Sequence, residues 1–220
     1  EATIYQCLLG EGKMTGYAVA KQTGISRSNA YNSLASMTEK GAAYLVEEGN
    51  TRKYVPVPVE EFCKNRIRRM EEARQWLKIH VPSEKTHVEG YITIEGARNI
   101  LDKMRNLLDK VEQRVYISCT RNYLLLLVRE LEELKRAGKK VVIVTDQPVT
   151  FSGAKVYVGK SRGMQIGVIA DSRYVLTGEY GEGSMNTCLY SGQKNFVELY
   201  KTALGNEIKL LTIQEEKNKA

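Results

Sequence analysis

The residues best suited to recognition chemistry lie in one stretch, "GISRSNAYNSLASMTEKG", residues 24–41. Ala30, Leu34 and Met37 recur at helical spacing and mark an apolar stripe. The remaining faces carry Ser26, Arg27, Ser28, Asn29, Asn32, Ser33 and Ser36, where Glu and Lys would be stronger helix formers. Small hydroxyl and amide side chains can meet base edges in a major groove, where carboxylates would be repelled by phosphate. Arg27 can pair with guanine or with a phosphate, and the helix N-terminus beside it also favours an anion.

A second basic group follows in "EEGNTRKY". Asn50, Thr51, Arg52 and Lys53 are expected at a hairpin tip, within reach of backbone phosphate or the minor groove. Basic hairpin tips are also ordinary solvated turns, so it is the combination with an acid-poor helix that points to nucleic acid. Tyr31 and Tyr54 fit two roles equally, packing or a phenol reaching phosphate. The candidate DNA-binding set is therefore Ser26, Arg27, Ser28, Asn29, Tyr31, Asn32 and Ser33 on the helix, with Asn50, Thr51, Arg52 and Lys53 on the hairpin.

These residues need elements to hold them. Residues 2–9 read as a helix, followed by a turn at "GEGKM". Thr15 is the expected cap of a second helix, "GYAVAKQTG", burying Tyr17, Ala18 and Val19 and stopping at Gly24. Ser26 caps the third helix, which ends at Gly41. "AAYLVEEGNTRKYVPVP" then gives two strands around a tip at residues 48–52, closed by Pro56 and Pro58. Helix, helix, turn, helix and hairpin is the order of a winged helix.

Residues 59–80 place Cys63, Ile67, Met70, Ala73 and Leu77 on one face of a long polar helix, a pairing or packing helix that Pro82 ends. Strands at "EGYITI", "RVYISC", "KKVVIVTD", "AKVYVG", "QIGVIAD", "RYVLTGE" and "MNTCLYS" follow. Helices are expected over "EGARNILDKMRNLLDKVEQ", over "NYLLLLVRELEELKRAG" and from about Lys194 to Leu211. The alternation is that of an α/β domain with a right-handed crossover.

The bulk properties agree. The chain has 220 residues, enough for two cores. Its net charge of +7 and pI near 9.1 suit a polyanion partner. That excess is diffuse, at +1 over residues 1–58, +2 over 59–85 and +4 beyond. The longest apolar run, Leu124 to Val128, is far short of the roughly 20 residues a bilayer requires, so no membrane partner is expected. Cys7, Cys63, Cys119 and Cys188 lack metal-ligand spacing and read as reduced core or sheet residues of a cytoplasmic protein. His80 and His87 flank the linker "VPSEKT" without further ligands, so no metal site and no cofactor are expected.

The stretch "MTGYAVAKQTGISRSNAYNSLASMTEKGAAYLVEEGNTRKYVPVPVEEF" resembles the DNA-binding domain of TrmB-family transcriptional regulators. It shares their TGY-x-hydrophobic-A helix, R-x-x-x-Y-x-x-L recognition helix and K-Y-x-x-V-P wing exit, in that order. The resemblance implies three parts: a winged helix-turn-helix over residues 1–58, a linker and dimerisation helix over 59–82, and a phospholipase-D-like α/β effector domain over 83–220. It also implies a cytoplasmic, ligand-responsive homodimer whose partners are double-stranded operator DNA and a small-molecule effector.

A catalytic phospholipase-D motif, H-x-K-x(4)-D-x(6)-G-S-x-N, tests that last domain, because His is its phosphate nucleophile and Lys and Asn stabilise phosphoryl charge. "MQIGVIADSRYVLTGEYG" keeps Asp171 and Gly178 in register, but Met164 stands for His, Ile166 for Lys, Glu179 for Ser and Gly181 for Asn. A phosphodiesterase is thus the weaker alternative, together with a winged helix that docks a protein. Asp171 reads as an acidic turn residue between strands. An effector pocket beyond the strand ends would draw on Ser118, Thr120, Arg121 and Asp146, which are also ordinary residues of strand-to-helix turns.

Overall fold

Each of the two helices that frame the recognition turn begins where the sequence supplies a cap. Thr15 Oγ1 accepts from the Ala18 N–H at 3.2 Å and opens α2 (Gly16–Thr23), which Gly24 ends at φ 70°. Ser26 Oγ accepts from the Asn29 N–H at 3.5 Å and opens α3 (Arg27–Lys40). Gly41, at φ 78°, turns the chain out, and the Ala42 N–H closes back on Met37 O at 2.8 Å. The computed structural model describes residues 1–82, 90–160, 162–182 and 185–219, and the chain divides into two units, residues 1–85 and 86–220.

In the first unit α1 (Ala2–Glu11) brings Ile4 and Leu8 against Val19 and Ala20 of α2 and Ala30, Leu34 and Met37 of α3. The wing is β2 (Ala43–Glu48) paired antiparallel with β3 (Thr51–Pro56), and β1 (Met14–Thr15) adds to the other side of β3, with Met14 opposite Tyr54. This short strand falls where the sequence suggested only a turn. Two further expectations change. Tyr17 is 51% exposed, because the inward stripe of α2 runs through Gly16, Val19 and Ala20. The hairpin turn holds only Gly49 and Asn50, so Thr51, Arg52 and Lys53 lie in β3 rather than at the tip.

Glu60 and Glu61 in the first turn and Lys78 and His80 in the last favour the dipole of α4 (Val59–His80). Phe62 packs on Tyr5 at 6.0 Å between ring centroids, and Tyr5 Oη donates to Val57 O at 2.6 Å, so the helix starts against the wing unit. No residue of α4 is buried. Of the expected stripe, Ile67 and Met70 are 70% and 72% exposed in the single chain. Cys63 is exposed as well, not a core or sheet residue, because nothing in the chain covers this face. Most of the linker expected between the units, and His87 with it, lies outside the described residues.

The second unit is a seven-stranded mixed sheet in the order β4-β10-β9-β8-β5-β6-β7, the α/β, phospholipase-D-like arrangement. Its strands are β4 (Tyr91–Glu95), β5 (Arg114–Ser118), β6 (Lys140–Thr145), β7 (Lys155–Val158), β8 (Gln165–Ala170), β9 (Tyr174–Glu179) and β10 (Thr187–Ser191). β5, β6 and β7 run parallel and the other pairs are antiparallel. α5 (Ala97–Asp109) and α7 (Val128–Arg136) cover one face of this sheet through Ile100, Met104, Leu108, Leu131 and Leu134. α8 (Lys194–Lys219), eight residues longer than expected, covers the other through Val197, Leu204 and Leu211. β6 is buried on both sides, which is why its sequence reads as an unbroken apolar run.

The helix expected through "NYLLLLVRELEELKRAG" is interrupted. α6 (Arg121–Leu124) passes into a 3-10 turn over Leu125–Leu127 before α7. The tighter winding brings Leu124 and Leu127, three residues apart, to the same buried side and leaves Leu125 and Leu126 outside.

Asp171 fastens this unit. At φ 50° in the β8–β9 turn, its carboxylate accepts N–H bonds from Glu112 (2.7 Å), Gln113 (2.8 Å) and Arg114 (2.8 Å). Partial burial would raise its pKa, but the three N–H donors and the nearby Arg173 outweigh this and hold it below its ordinary value. The four cysteines are free, and burial pushes the Cys119 thiol up to about 12 and that of Cys188 up to about 11.

Asp171→Ala is expected to cost the C-terminal unit about 1–3 kcal/mol, the range for hydrogen bonds to a charged group, measured by urea denaturation at neutral pH. A depressed folded-state pKa means this stabilisation is present above the unfolded carboxyl pKa and disappears as pH falls through the folded one. The gap between variant and wild type should therefore narrow below about pH 4.

Candidate nucleic-acid interface

α3 presents the candidate residues as its inward stripe requires. With Ala30, Leu34 and Met37 at 0%, 0% and 2% exposure, Arg27, Ser28, Asn29, Tyr31 and Asn32 are left on the surface and Ser33 at its margin. The first three turns of the helix contain no acid, and Glu39 is the only one in the whole helix. Ser26 has a structural task in addition, since its hydroxyl holds the Asn29 N–H.

Two contacts preset this surface. The Arg27 guanidinium carbon lies 4.4 Å from the centroid of the exposed Tyr17 ring, a stacking geometry that limits the directions the arginine can take. Tyr31 lies across the start of α2, where Gly16 makes room for it: a Cβ at residue 16 would stand 2.5 Å from the tyrosine ring. Sequence reasoning placed Tyr17 in the core and so missed its place at this surface. The available signal was its offset from the stripe of small residues in α2.

The wing carries its charges in cross-strand pairs. Arg52 Nε meets Glu47 Oε1 at 3.1 Å, and those residues are register partners. Lys53 Nζ meets Glu48 Oε2 at 2.7 Å, and Lys13, a residue absent from the candidate set, holds the other oxygen of the same carboxylate. Hydrogen bonds from Lys13 and then Lys53 hold Glu48 down at about 2. All these groups are solvent-accessible, and such pairs are worth about 0–1 kcal/mol, so a phosphate can take over the cations at small cost. Asn50 and Thr51 are exposed at and beside the turn.

The expected effector residues are dispersed. Ser118 is 2% exposed at the end of β5. Thr120 immediately precedes α6, and Asp146 Oδ1 accepts from the Arg121 N–H at 2.8 Å and the Thr145 hydroxyl at 3.4 Å. Asp146 thereby serves the turn, while the Arg121 side chain is left exposed. In the phospholipase-D frame, Ile166 is part of the core at 2% exposure, and Met164 is 38% exposed. A side chain at Gly181 would collide with the hydroxyl of Tyr123, whose ring packs edge-on against Tyr180 at 5.1 Å. Apolar and aromatic groups thus fill the positions that phosphoryl chemistry would need. Among the described residues, no group of three His, Cys, Asp or Glu side chains can hold a metal, and no helix is long and apolar enough to cross a membrane.

A three-helix unit closed by a three-stranded wing, with a capped and acid-poor third helix, defines a winged helix-turn-helix protein. Residues 1–60 match the family model described as "Sugar-specific transcriptional regulator TrmB". The uncharacterized protein YrhO of Bacillus subtilis is 30% identical over 210 residues, covering 94% of this chain and 71% of that protein. The HTH-type sugar sensing transcriptional regulator TrmBL1 of Pyrococcus furiosus is 24% identical over 199 residues, covering 87% of this chain and 55% of that protein. The solved structure of TrmBL2, described as an archaeal chromatin protein with a novel mode of DNA binding, has the same fold. It aligns over 94% of this chain and 91% of its own, with a TM-score of 0.50 at 18% identity. The chain belongs to the TrmB family of transcriptional regulators.

The paired lysines give a direct test of wing electrostatics. The Glu48 carboxyl is expected to titrate near 2 by carbon-detected NMR in low salt. It should return toward its ordinary value of 4.5 in the Lys13→Met, Lys53→Met double variant, and part of the way in high salt.

Proposed function

We propose that the chain is a sequence-specific DNA-binding regulator that acts as a homodimer in the cytoplasm and is controlled by a small molecule held in its C-terminal unit. The observation that carries this reading is the exposed, acid-free first part of α3, fixed on its other side by a fully buried stripe. Seated in a major groove, Ser28, Asn29, Asn32 and Ser33 would offer donors and acceptors to base edges. Arg27, steered by Tyr17, would take a guanine or the adjoining phosphate. Arg52 and Lys53 would exchange Glu47 and Glu48 for backbone phosphate, with Asn50 and Thr51 at the neighbouring groove edge. The family match over residues 1–60 and the DNA binding named for TrmBL2 support the reading.

The uncovered face of α4 supports the dimer. Ile67, Met70 and Leu77 are each more than half exposed, and a second copy of the helix would bury them at spacings that suit a coiled coil. Two copies of α3 would then meet half-sites roughly 34–36 Å apart, and an effector that favours one arrangement would change affinity by altering that spacing. Regulation without phosphodiester hydrolysis agrees with Met164 and Ile166 in the places of a nucleophile and a cation.

Gel shifts against DNA upstream of the chain's own gene and its neighbours test the reading. Arg27→Ala is expected to weaken operator binding by about 1–3 kcal/mol and random-DNA binding far less, and equal losses on both would remove it from base recognition. Lys53→Ala should weaken both and flatten the salt dependence by roughly 0.9 in log–log slope for the one phosphate lost. Ile67→Glu with Met70→Glu should convert the dimer to a monomer in sedimentation equilibrium. An unchanged mass would move the dimer contact elsewhere.

A further inference from the structure

The nearly continuous helical segment from Arg121 to Arg136 has a second stripe besides its buried leucines. Residues 121, 125, 128, 132, 135 and 136 fall at helical spacings on one side and form one wall of a cavity of about 600 Å³. The opposite wall is the β6–β7 connection, residues 148–152, fixed in place because Val149 and Phe151 pack into the core of the C-terminal unit. A cavity of this size falls within the roughly 300–1,000 Å³ usual for small-molecule sites.

The charge of this cavity is one-sided. Arg121, Lys135 and Arg136 line it against a single acid, Glu132. None of the three cations has a carboxylate within ion-pair distance among the described residues, whereas Arg129, on another side of the same helix, is paired with both Glu130 and Glu133. Lys135 is held by packing instead. Its methylenes lie against Gly153, where a Cβ would come within 2.9 Å of Lys135 Cε, and Gly153 is at φ 83°. The hydroxyls of Thr150 and Ser152 stand on the facing loop, and Leu125, Val128 and Phe151 supply apolar wall.

We propose that this cavity binds a small organic phosphate monoester, with the dianion between Arg121, Lys135 and Arg136 and the organic body against Phe151 and Leu125. A net lining charge of +2, three cations against one carboxylate, matches a phosphate monoester above its second pKa of about 6. Bidentate arginines and a point-charge lysine are the donors such a group recruits. Neither Ser118 nor Asp146, the residues suggested by the strand ends, lines the cavity; Arg121 alone connects the two. The site deepens the effector reading and rests on it for its purpose.

Titration calorimetry of the full chain with phenyl phosphate, inorganic phosphate and phenol at pH 7.5 tests the site without DNA, so a failure here is distinct from a failure of DNA recognition. Phenyl phosphate is expected to bind more tightly than inorganic phosphate, phenol not to bind, and affinity to fall below about pH 6. Arg121→Glu and Arg136→Gln, both at exposed side chains, should each weaken phenyl phosphate at least tenfold with unchanged circular dichroism and Tm. Amide shifts on adding phenyl phosphate should concentrate in residues 149–153. Binding unaltered in both variants, no binding, or shifts confined to another region would each overturn the proposal.

Discussion

α3 can leave a polar side bare only because its opposite side is fully committed. Ala30, Leu34 and Met37 pack against Ile4, Leu8, Val19 and Ala20, and together they form most of a small core. A buried leucine of this kind is worth about 2–5 kcal/mol against alanine, far more than the few tenths per residue that serine and asparagine forfeit as helix formers. Caps at Ser26 and Gly41 fix both helix ends. The recognition surface is therefore stabilised by its back, and its front is free to be chosen for chemistry.

Electrostatics in the two units follow different rules. In the wing, Arg52 and Lys53 face Glu47 and Glu48 across a hairpin, so the unbound surface is close to neutral and its cations are held at known positions. Three cations and two acids leave one positive charge there, and a phosphate backbone can exchange for the acids. Around the cavity of the second unit, the cations have no such carboxylate partners among the described residues, and a buried loop anchor keeps them together. Exposed pairing suits a long polymer met at many points, whereas convergent unpaired charge suits a compact dianion.

The winged helix was legible because its signals are local. Thr15, Gly24, Ser26 and Gly41 each act within four residues of themselves, and the stripe in α3 is periodic. The strands of the second unit were legible for the same reason, since β-branched runs and glycine-rich turns punctuate them. What sequence reading missed depends on partners distant along the chain. Lys13 enters the wing because β1 pairs with β3, and the 3-10 turn at Leu125 exists because Leu124 and Leu127 must share one buried side. The cavity was only partly foreseen, through Arg121, because its second wall comes from a loop whose sequence has no periodicity. Asp171 was read as a turn residue, which it is, but its three acceptor bonds were invisible without the fold.

Those bonds join groups 57 to 59 positions apart in the chain. A tie across so long a loop can close only after the β8–β9 hairpin has docked beside β5, when most of the chain entropy has already been spent. It therefore acts as a late latch, slowing escape from the native state far more than it hastens arrival. The lifetime of the folded C-terminal unit, rather than its rate of assembly, is what this one carboxylate governs.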